Sequence, residues 1–265
     1  TQSTPTRCNG SRGAALIVVL FFLVFMLSLS LVFARQMQTE AVTAGNAVSQ
    51  TQARLIAMGV IEAIKADLQS SIDAGDEPSI DFVESQAVVM ADRYSGYPEN
   101  ARFDMKGVMI MTTHVVGSNN NFEIRDPAAV NEFFGRNEAN IAWLEDSFDK
   151  AVATNARAVV LAMQADMFEF DFNEFGKEGF LRHSGFKDFG EKLAKRAAAF
   201  GKPVLLVYGD SHIYRIDRPF KNTAPNLIGL EVFGESDMHG VQIDVDTDSP
   251  EVFGFRPIMN PALVK

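Results

Sequence analysis

One early stretch of the chain is hydrophobic at nearly every position. Residues 13–34, "GAALIVVLFFLVFMLSLSLVFA", contain no charged side chain, and about 20 apolar residues are enough for a helix to cross a bilayer. Arg7 and Arg12 precede this stretch and Arg35 follows it. Because cytoplasmic flanks carry the excess of basic residues, we expect a single-pass inner-membrane helix, with the body of the chain in the periplasm or outside the cell. The alternative is a buried core helix, which would normally keep a polar face.

The hydrophobic pattern becomes amphipathic after this stretch. Apolar residues recur at helical spacing, at Leu55, Met58, Val60, Ile61, Ile64 and Leu68. Gly75 and Pro78 follow, and both residue types are common where a helix ends. We therefore predict an N-terminal membrane helix within residues 1–72, followed by a linker over residues 73–96.

The pattern of residues 97–265 alternates between short apolar runs and longer amphipathic segments. The runs "GVMIMTTH", "ARAVVLAMQADMF" and "KPVLLVY" predict buried strands. "DPAAVNEFFGRNEANIAWLEDSFDKAVATN" predicts a helix with Asp126 as its N-cap and Pro127 at its first position, and "FKDFGEKLAKRAAAF" predicts another that ends before Gly201. From Asn226 onward, alternation in "VQIDVD" and "EVFGF" predicts antiparallel β-structure. Strands alternating with helices place this part of the chain in the α/β class.

Polar side chains follow the predicted buried strands. His114 ends the first strand, Gln164 and Asp166 end the second, and Asp210 and His212 follow the third. In α/β sheets, ligands bind outside the carboxyl ends of the strands. We therefore expect these side chains to lie at one edge of the sheet, where they can form a binding site.

Composition narrows the class of protein. The 265 residues are 47% apolar and 22% charged, which is enough for a substantial core. The formal charge of −10 and the lack of a long basic cluster argue against a nucleic-acid partner. Cys8 is the one cysteine, which excludes an intrachain disulfide and a cysteine-rich zinc site.

Three of these segments together resemble the C-terminal half of calcineurin-like metallophosphoesterases. "NIAWLEDSFDKA" is similar to a helix of that family, "AVVLAMQADMF" to the strand after it, and "VLLVYGDSH" to its final metal-ligand turn. The resemblance covers Tyr97 to Phe255 and implies a partial metallophosphoesterase-like sheet with flanking helices. It also implies that the protein hydrolyses a phosphoester substrate with the help of divalent metal ions (Mn, Fe, Zn or Mg). It also implies roles for individual residues: metal ligands Asp210, His212 and Gln164, catalytic groups His114 and His212, and substrate contacts Asn119, Asn120 and Arg215.

The chain departs from that family where metal ligands are expected. The family's strand-borne His corresponds here to Gln164, a weaker ligand, and the first His of its Gly-His-x-His turn corresponds to Asp210. Its Asp-x-His and Asn-His motifs do not occur in residues 1–100, which contain no histidine. Since a two-metal site needs ligands that hold the ions about 3.5–4 Å apart, we expect an incomplete site that hydrolyses poorly or is inactive. A fragment, a fusion and a degenerate copy all fit this pattern.

Each candidate residue also has an ordinary structural alternative. Asp210 and His212 can belong to a simple turn, His114 can be a hydrogen-bonded structural histidine, Asn119 and Asn120 can belong to a polar loop, and Arg215 can form a salt bridge with Asp217 or Glu231.

The N-terminal helix has a resemblance of its own. "SRGAALIVVL" is similar to the prepilin peptidase site of type IV pilin-like proteins, where cleavage would follow Gly13, and the match covers residues 7–72. Most pilins have Glu at the fifth mature position, where this chain has Val18, as certain minor pseudopilins do. The resemblance implies an alternative function as a structural pilin-like or pseudopilin-like component with partners in an envelope assembly or secretion system. An ordinary signal anchor is the rival interpretation of the same segment.

Overall fold

The strands form one mixed sheet and a separate hairpin. The structure, a computed structural model, describes residues 80–169, 184–234 and 239–261. The strands are β1 (Ile80–Ser85), β2 (Ala101–Met105), β3 (Val108–Thr112), β4 (Ala158–Ala162), β5 (Val204–Tyr208), β6 (Arg215–Asp217), β7 (Leu227–Glu231), β8 (Gly240–Val245) and β9 (Phe253–Ile258). The sheet has 7 strands in the order β1-β2-β3-β4-β5-β7-β6, while β8 pairs with β9. The predicted α/β class is confirmed.

Strand direction divides the sheet into a parallel centre and antiparallel flanks. β3, β4, β5 and β7 run parallel to one another. The pairs β1–β2, β2–β3 and β6–β7 are antiparallel. The carboxyl ends of the four central strands therefore meet at the same edge of the sheet, and the loops that leave those strands are neighbours.

Both predicted long helices are confirmed. The described helices are α1 (Gln86–Val89), α2 (Ala91–Tyr94), α3 (Pro127–Ala153) and α4 (Lys187–Phe200). α3 begins where Oδ1 of Asp126 accepts a hydrogen bond of 2.9 Å from the backbone N–H of Ala128, as expected for an N-cap. α4 ends at Gly201, whose φ of 70° lies in the left-handed region that suits glycine.

Helices α3 and α4 cover one face of the sheet. Leu144 and Phe148 of α3 and Phe189 and Leu193 of α4 lie in one buried cluster with Leu161 of β4. Fully burying a Leu or Phe side chain contributes about 1.5–3 kcal/mol. This layer therefore forms the larger core and fixes the positions of β4 and β5 relative to the helices.

The β8–β9 hairpin packs against the opposite face. Phe253 of β9 lies in a second buried cluster with Val108, Val160, Leu205 and Leu230, which come from the four central strands. Alternate side chains of those strands thus point to the helices and to the hairpin. The predicted antiparallel pairing of the "VQIDVD" and "EVFGF" segments is confirmed.

The position of β7 differs from the sequence prediction. The segment from Asn226 onward was predicted to be antiparallel throughout, but β7 lies parallel to β5, with Leu206 paired with Gly229. The apolar run of β7 is mostly buried because it lies between β5 and β6 and is covered on both faces, as parallel strands usually are.

The region before β2 contains elements that the sequence prediction did not include. β1 lies within the predicted linker 73–96 and pairs with β2, with Val83 opposite Phe103. The predicted membrane segment 13–34 and the whole N-terminal helix region 1–72 lie outside the described residues. Among the residues that are described, no helix combines the length and the apolar character that crossing a bilayer requires.

Candidate functional site

The predicted site residues follow the central strands at the edge where their carboxyl ends meet. His114 lies just beyond β3, Gln164 just beyond β4, and Asp210 and His212 just beyond β5. The backbone links these loops directly, since the N–H of Gly209 donates to the carbonyl of Gln164 at 3.1 Å and the N–H of Gln164 donates to the carbonyl of Val115 at 3.3 Å. The strand-end argument therefore located the right edge of the sheet.

Gln164 connects the first loop to Asp210. Nε2 of Gln164 donates to Oδ1 of Asp210 at 3.1 Å, and Oε1 of Gln164 accepts from the backbone N–H of Gly117 at 2.6 Å. Because the Gly117 N–H can only donate, it also determines which end of the Gln164 amide faces Asp210. Both ends of this amide are thus occupied, and in this arrangement Gln164 orients the Asp210 carboxylate.

The second oxygen of Asp210 has no such partner. Oδ2 is buried and makes no hydrogen bond within the described part of the chain. Burial raises the pKa of the Asp210 carboxyl and the charge of Asp166 adds to this shift, whereas hydrogen bonding from the Gln164 side chain and the Asp166 backbone, and the nearby His212, oppose it. An ionised carboxylate oxygen in this position favours a cation or a hydrogen-bond donor as a ligand.

His212 follows Asp210 in the same turn and is exposed. Both residues have positive φ, 83° for Asp210 and 63° for His212, a backbone region that few L-residues adopt and in which Asn, Asp and His are the most frequent exceptions. Gly234 makes room for this turn, because a β-carbon there would lie 2.9 Å from Cα of His212. The shape of the turn is therefore imposed by its surroundings.

Carboxylates dominate the charge around the turn. Burial raises the pKa of Glu169, and the charges of Asp210 and Asp166 raise it further. Burial also raises the pKa of Glu231 to about 6, against a hydrogen bond from the Ile213 backbone. Glu169, which follows β4 by seven positions, is therefore close enough to Asp210 to add negative charge at the candidate site.

Arg215 is paired inside the protein. Its Nη2 lies 2.6 Å from Oδ2 of Asp166 and its Nε lies 3.0 Å from Oε2 of Glu231, and both carboxylates are fully buried. The structural alternative for Arg215, a salt bridge with Glu231, is therefore present. Asp217 lies farther away, at 3.9 Å from Nε.

His114 lies in a buried polar network on the α3 side of the edge. Nδ1 of His114 is 2.5 Å from Oε1 of Glu99, while its carbonyl accepts from Nη1 of Arg136 at 2.9 Å and from Nδ2 of Asn140 at 2.7 Å. Its backbone N–H donates to Oδ1 of Asn100 at 2.7 Å. Nε2 is buried and has no hydrogen-bond partner among the described residues.

Asn119 and Asn120 form part of the same network. Each has a φ of 55°. Oδ1 of Asn119 accepts from the N–H of Gly185 at 2.8 Å, and Oδ1 of Asn120 accepts from Nη1 of Arg136 at 2.6 Å. Their Nδ2 groups donate to the carbonyls of Phe122 and Gly185, each at 3.0 Å. The amides predicted to contact substrate are thus used to shape their own loop.

Arg136 is the centre of this network and was not among the predicted site residues. It is fully buried and also pairs with Glu132, with Nε 2.5 Å from Oε1. Burial would raise the pKa of Glu132, but the hydrogen bonds and charge of Arg136 hold it below its usual value. Arg136 lies within the predicted helix, and nothing in the helical pattern distinguishes it from a solvent-facing arginine.

Two residues of the turn have side chains of types that could bind a metal ion. Asp210 and His212 supply a carboxylate and an imidazole, both suitable ligands for divalent ions. No cluster of three or more His, Cys, Asp or Glu side chains suited to a metal ion occurs within residues 80–169, 184–234 and 239–261. The described residues therefore offer two candidate metal ligands, Asp210 and His212. Any further His, Cys, Asp or Glu ligand would come from outside those ranges.

Comparisons with protein-family models, with curated proteins and with solved structures gave no match for this chain. Its fold is an α/β domain with a mixed sheet and an acidic turn at the carboxyl edge of the parallel strands.

Proposed function

We propose that the protein is a membrane-anchored, exported protein of the calcineurin-like metallophosphoesterase type, whose α/β domain is an incomplete version of that family's sheet. Asp210 and His212 would hold one divalent ion, with Mn, Fe, Zn and Mg all compatible. The observation that carries the proposal is the buried Oδ2 of Asp210, which has no hydrogen-bond partner in the described residues. A cation at this oxygen would offset the cost of burying the carboxylate.

The electrostatics of the turn support a cation ligand. The charges of Asp210 and Asp166 raise the pKa of Glu169, and the charge of Asp166 raises that of Asp210; Arg215 neutralises only part of this charge because it is shared with Glu231. Among the protein's own groups, Gln164 would hold Asp210 in one orientation and His212 would add a neutral nitrogen ligand.

A bound metal ion would polarise a phosphoryl oxygen and lower the pKa of a bound water. His114 is the proposed acid–base group, since its ring lies against Glu99 and leaves Nε2 without a partner among the described residues. Because the histidine-containing upstream motifs of the resembling family do not occur in residues 1–100, we expect metal binding with slow hydrolysis.

The test is a titration of the full chain, purified in detergent, with Mn²⁺, followed by an assay on an aryl phosphate. We expect saturable binding of the ion that is weakened at least tenfold by Asp210→Asn and by His212→Ala. Asp92→Asn is the matched control, since Asp92 is an exposed carboxylate of α2. Unchanged affinity in both site variants, or no binding by the wild-type chain, would reject the proposal.

Membrane anchoring through residues 13–34 is the second part of the proposal, and its support is the uncharged apolar sequence. The chain should remain with the membrane fraction after alkaline extraction. Release into the supernatant would contradict an integral anchor.

A structural pilin-like or pseudopilin-like role is the alternative proposal, favoured by the "SRGAALIVVL" sequence and the helical pattern that follows it. N-terminal sequencing of the protein from cells distinguishes the two. A mature chain that begins at Ala14 supports the pilin-like assembly, whereas a chain that retains residues 7–13 supports an ordinary anchor.

A further inference from the structure

We infer that Arg215 is the positioning residue of the turn Gly209–Ile213, because it joins the two buried carboxylates that anchor this turn. The role of the turn in metal binding rests on the function proposed above, whereas the anchoring itself is a property of the fold. The inference gives Arg215 a function different from the substrate contact that the family resemblance implies.

The turn is anchored at alternate residues. Oγ of Ser211 donates to Oδ2 of Asp166 at 2.6 Å, and the backbone N–H of Ile213 donates to Oε1 of Glu231 at 3.0 Å. Of the two candidate ligands, Asp210 directly precedes Ser211, and His212 lies between Ser211 and Ile213. Anchoring Ser211 and Ile213 therefore restricts the positions that the candidate ligands can occupy.

The two carboxylates that anchor the turn, Asp166 and Glu231, have further partners that fix their own positions. Oδ1 of Asp166 accepts from the N–H of Phe168 at 2.7 Å, which fixes its orientation. The guanidinium of Arg215 reaches Asp166 through Nη2 at 2.6 Å and Glu231 through Nε at 3.0 Å. The guanidinium is planar and spreads its charge over three nitrogens at fixed positions, so Arg215 contacts both carboxylates in one orientation, whereas a lysine ammonium is a compact point charge on a flexible stem.

Charge gives the arrangement its strength. Asp166 and Glu231 are both fully buried, and a buried carboxylate without a partner is strongly unfavourable. Tyr208 supports the pairing from β5, since Nε of Arg215 donates to its hydroxyl at 3.4 Å. The positive φ values of Asp210 and His212 are the kind of backbone strain that persists only where surrounding contacts enforce it.

The test is hydrogen–deuterium exchange of the full chain without added metal, followed on the Ile213 amide. We expect Arg215→Gln to speed exchange of this amide at least tenfold, while the amides of β4 keep their protection. Arg215→Lys retains the positive charge but lacks the planar guanidinium. We therefore expect the amides of β4 to remain fully protected and the Ile213 amide to exchange faster than in the wild type. Arg218→Gln is the matched control, because Arg218 is exposed and its donor contact is with the carbonyl of Pro225.

The inference would be overturned if the Ile213 amide of Arg215→Lys exchanged as slowly as in the wild type. It would also be overturned if the Ile213 amide exchanged faster only together with the amides of β4, because that would indicate general unfolding. If Arg215→Gln does not fold, Arg215→Lys alone decides the question. Mn²⁺ affinity, measured separately, should fall at least tenfold in Arg215→Lys. An arginine that only contacts phosphate would raise KM for an aryl phosphate and leave exchange and metal affinity unchanged, which would also reject a positioning role.

The two proposals fail in different ways. A wild-type chain that binds no Mn²⁺ rejects the proposed function, and the exchange experiment still decides whether Arg215 positions the turn. Normal Mn²⁺ binding together with unchanged Ile213 exchange rejects the positioning role alone.

Discussion

Gly117 lies against the carboxylate of Asp210, so closely that a β-carbon on Gly117 would be 2.6 Å from Cγ of Asp210. This contact joins the loop after β3 to the turn after β5. The same glycine donates its N–H to Gln164, so one residue both limits the space around Asp210 and orders the amide that holds it.

Gly117→Ala is expected to displace the Asp210 carboxylate. Overpacking of this kind costs about 1–3 kcal/mol of unfolding free energy, and Mn²⁺ affinity should fall with it. Gly96→Ala is the control, because a β-carbon on Gly96 would have no neighbour within 4 Å. Denaturant unfolding of both variants measures the difference; equal stability of the two would contradict the close contact.

Gln164→Leu should raise the pKa of Asp210 above its wild-type value. The substitution removes a hydrogen bond that opposes the effect of burial on this carboxyl, and it leaves the Gly117 N–H without its acceptor. We expect a loss of about 1–3 kcal/mol in stability. The carboxyl ¹³C shift of Asp210, followed by NMR against pH, reports the pKa directly.

Gln242→Leu provides the comparison for that experiment. Gln242 also donates to an aspartate, with Nε2 2.6 Å from Oδ1 of Asp244, but this contact is exposed. Its loss should change stability by less than about 0.5 kcal/mol. An unmoved Asp210 pKa in Gln164→Leu would show that Gln164 does not control this carboxyl.

Arg136→Met is expected to be the most damaging of these changes. Arg136 is fully buried while its partner Glu132 is partly exposed. Loss of Arg136 would leave both oxygens of the buried Asn120 without their donor, at about 1–3 kcal/mol for each unsatisfied acceptor. Arg93→Met makes the same chemical change in an exposed pair with Glu138, 3.0 Å apart, where the cost is about 0–1 kcal/mol. Similar unfolding free energies for the two variants would mean that the buried network does not stabilise the domain.

Glu231 should make stability depend on pH between about 4.5 and 6. Its pKa in the folded protein is about 6, compared with an ordinary value of 4.5, so the folded state binds this proton more tightly. The favourable contribution is complete below pH 4.5 and is lost as pH rises through 6, a change of about 2 kcal/mol. Arg215, Asp166 and Asp210 are the charged groups around it.

Glu231→Gln removes this titration but keeps an acceptor for the Ile213 N–H. Relative to the wild type, the variant should gain about 2 kcal/mol between pH 4.5 and pH 7.5, as measured by urea unfolding at each pH. A constant difference across that range would show that Glu231 titrates normally in the folded protein.

Local sequence patterns predicted the elements that depend on local physics. The strand Ala158–Ala162 is a short apolar run, and α3 starts at a capping aspartate followed by proline. The location of His114, Gln164 and Asp210 at one edge of the sheet was predicted because each residue follows a buried strand. These inferences use only a few neighbouring residues and the rule that parallel strands share an edge.

Contacts between distant residues were not available from the pattern. The bond from Arg136 to the carbonyl of His114 spans 22 positions, and that from Gln164 to Asp210 spans 46. The sequence prediction did not place β7 between β5 and β6 for a similar reason. An apolar run indicates that a strand is buried, but it does not indicate which strands lie beside it or in which direction they run. The charged residues of β1 made an edge strand look like a linker.

The β8–β9 hairpin has a consequence for the order in which the protein is made. It covers side chains of β3, β4, β5 and β7, including Val160, Leu205 and Leu230, yet it follows all four strands in the chain. On the ribosome, those strands emerge before the hairpin that shields them. A translation product that stops before Gly240 would carry an uncovered apolar face on these four strands, and we expect it to aggregate more readily than a product that includes the hairpin.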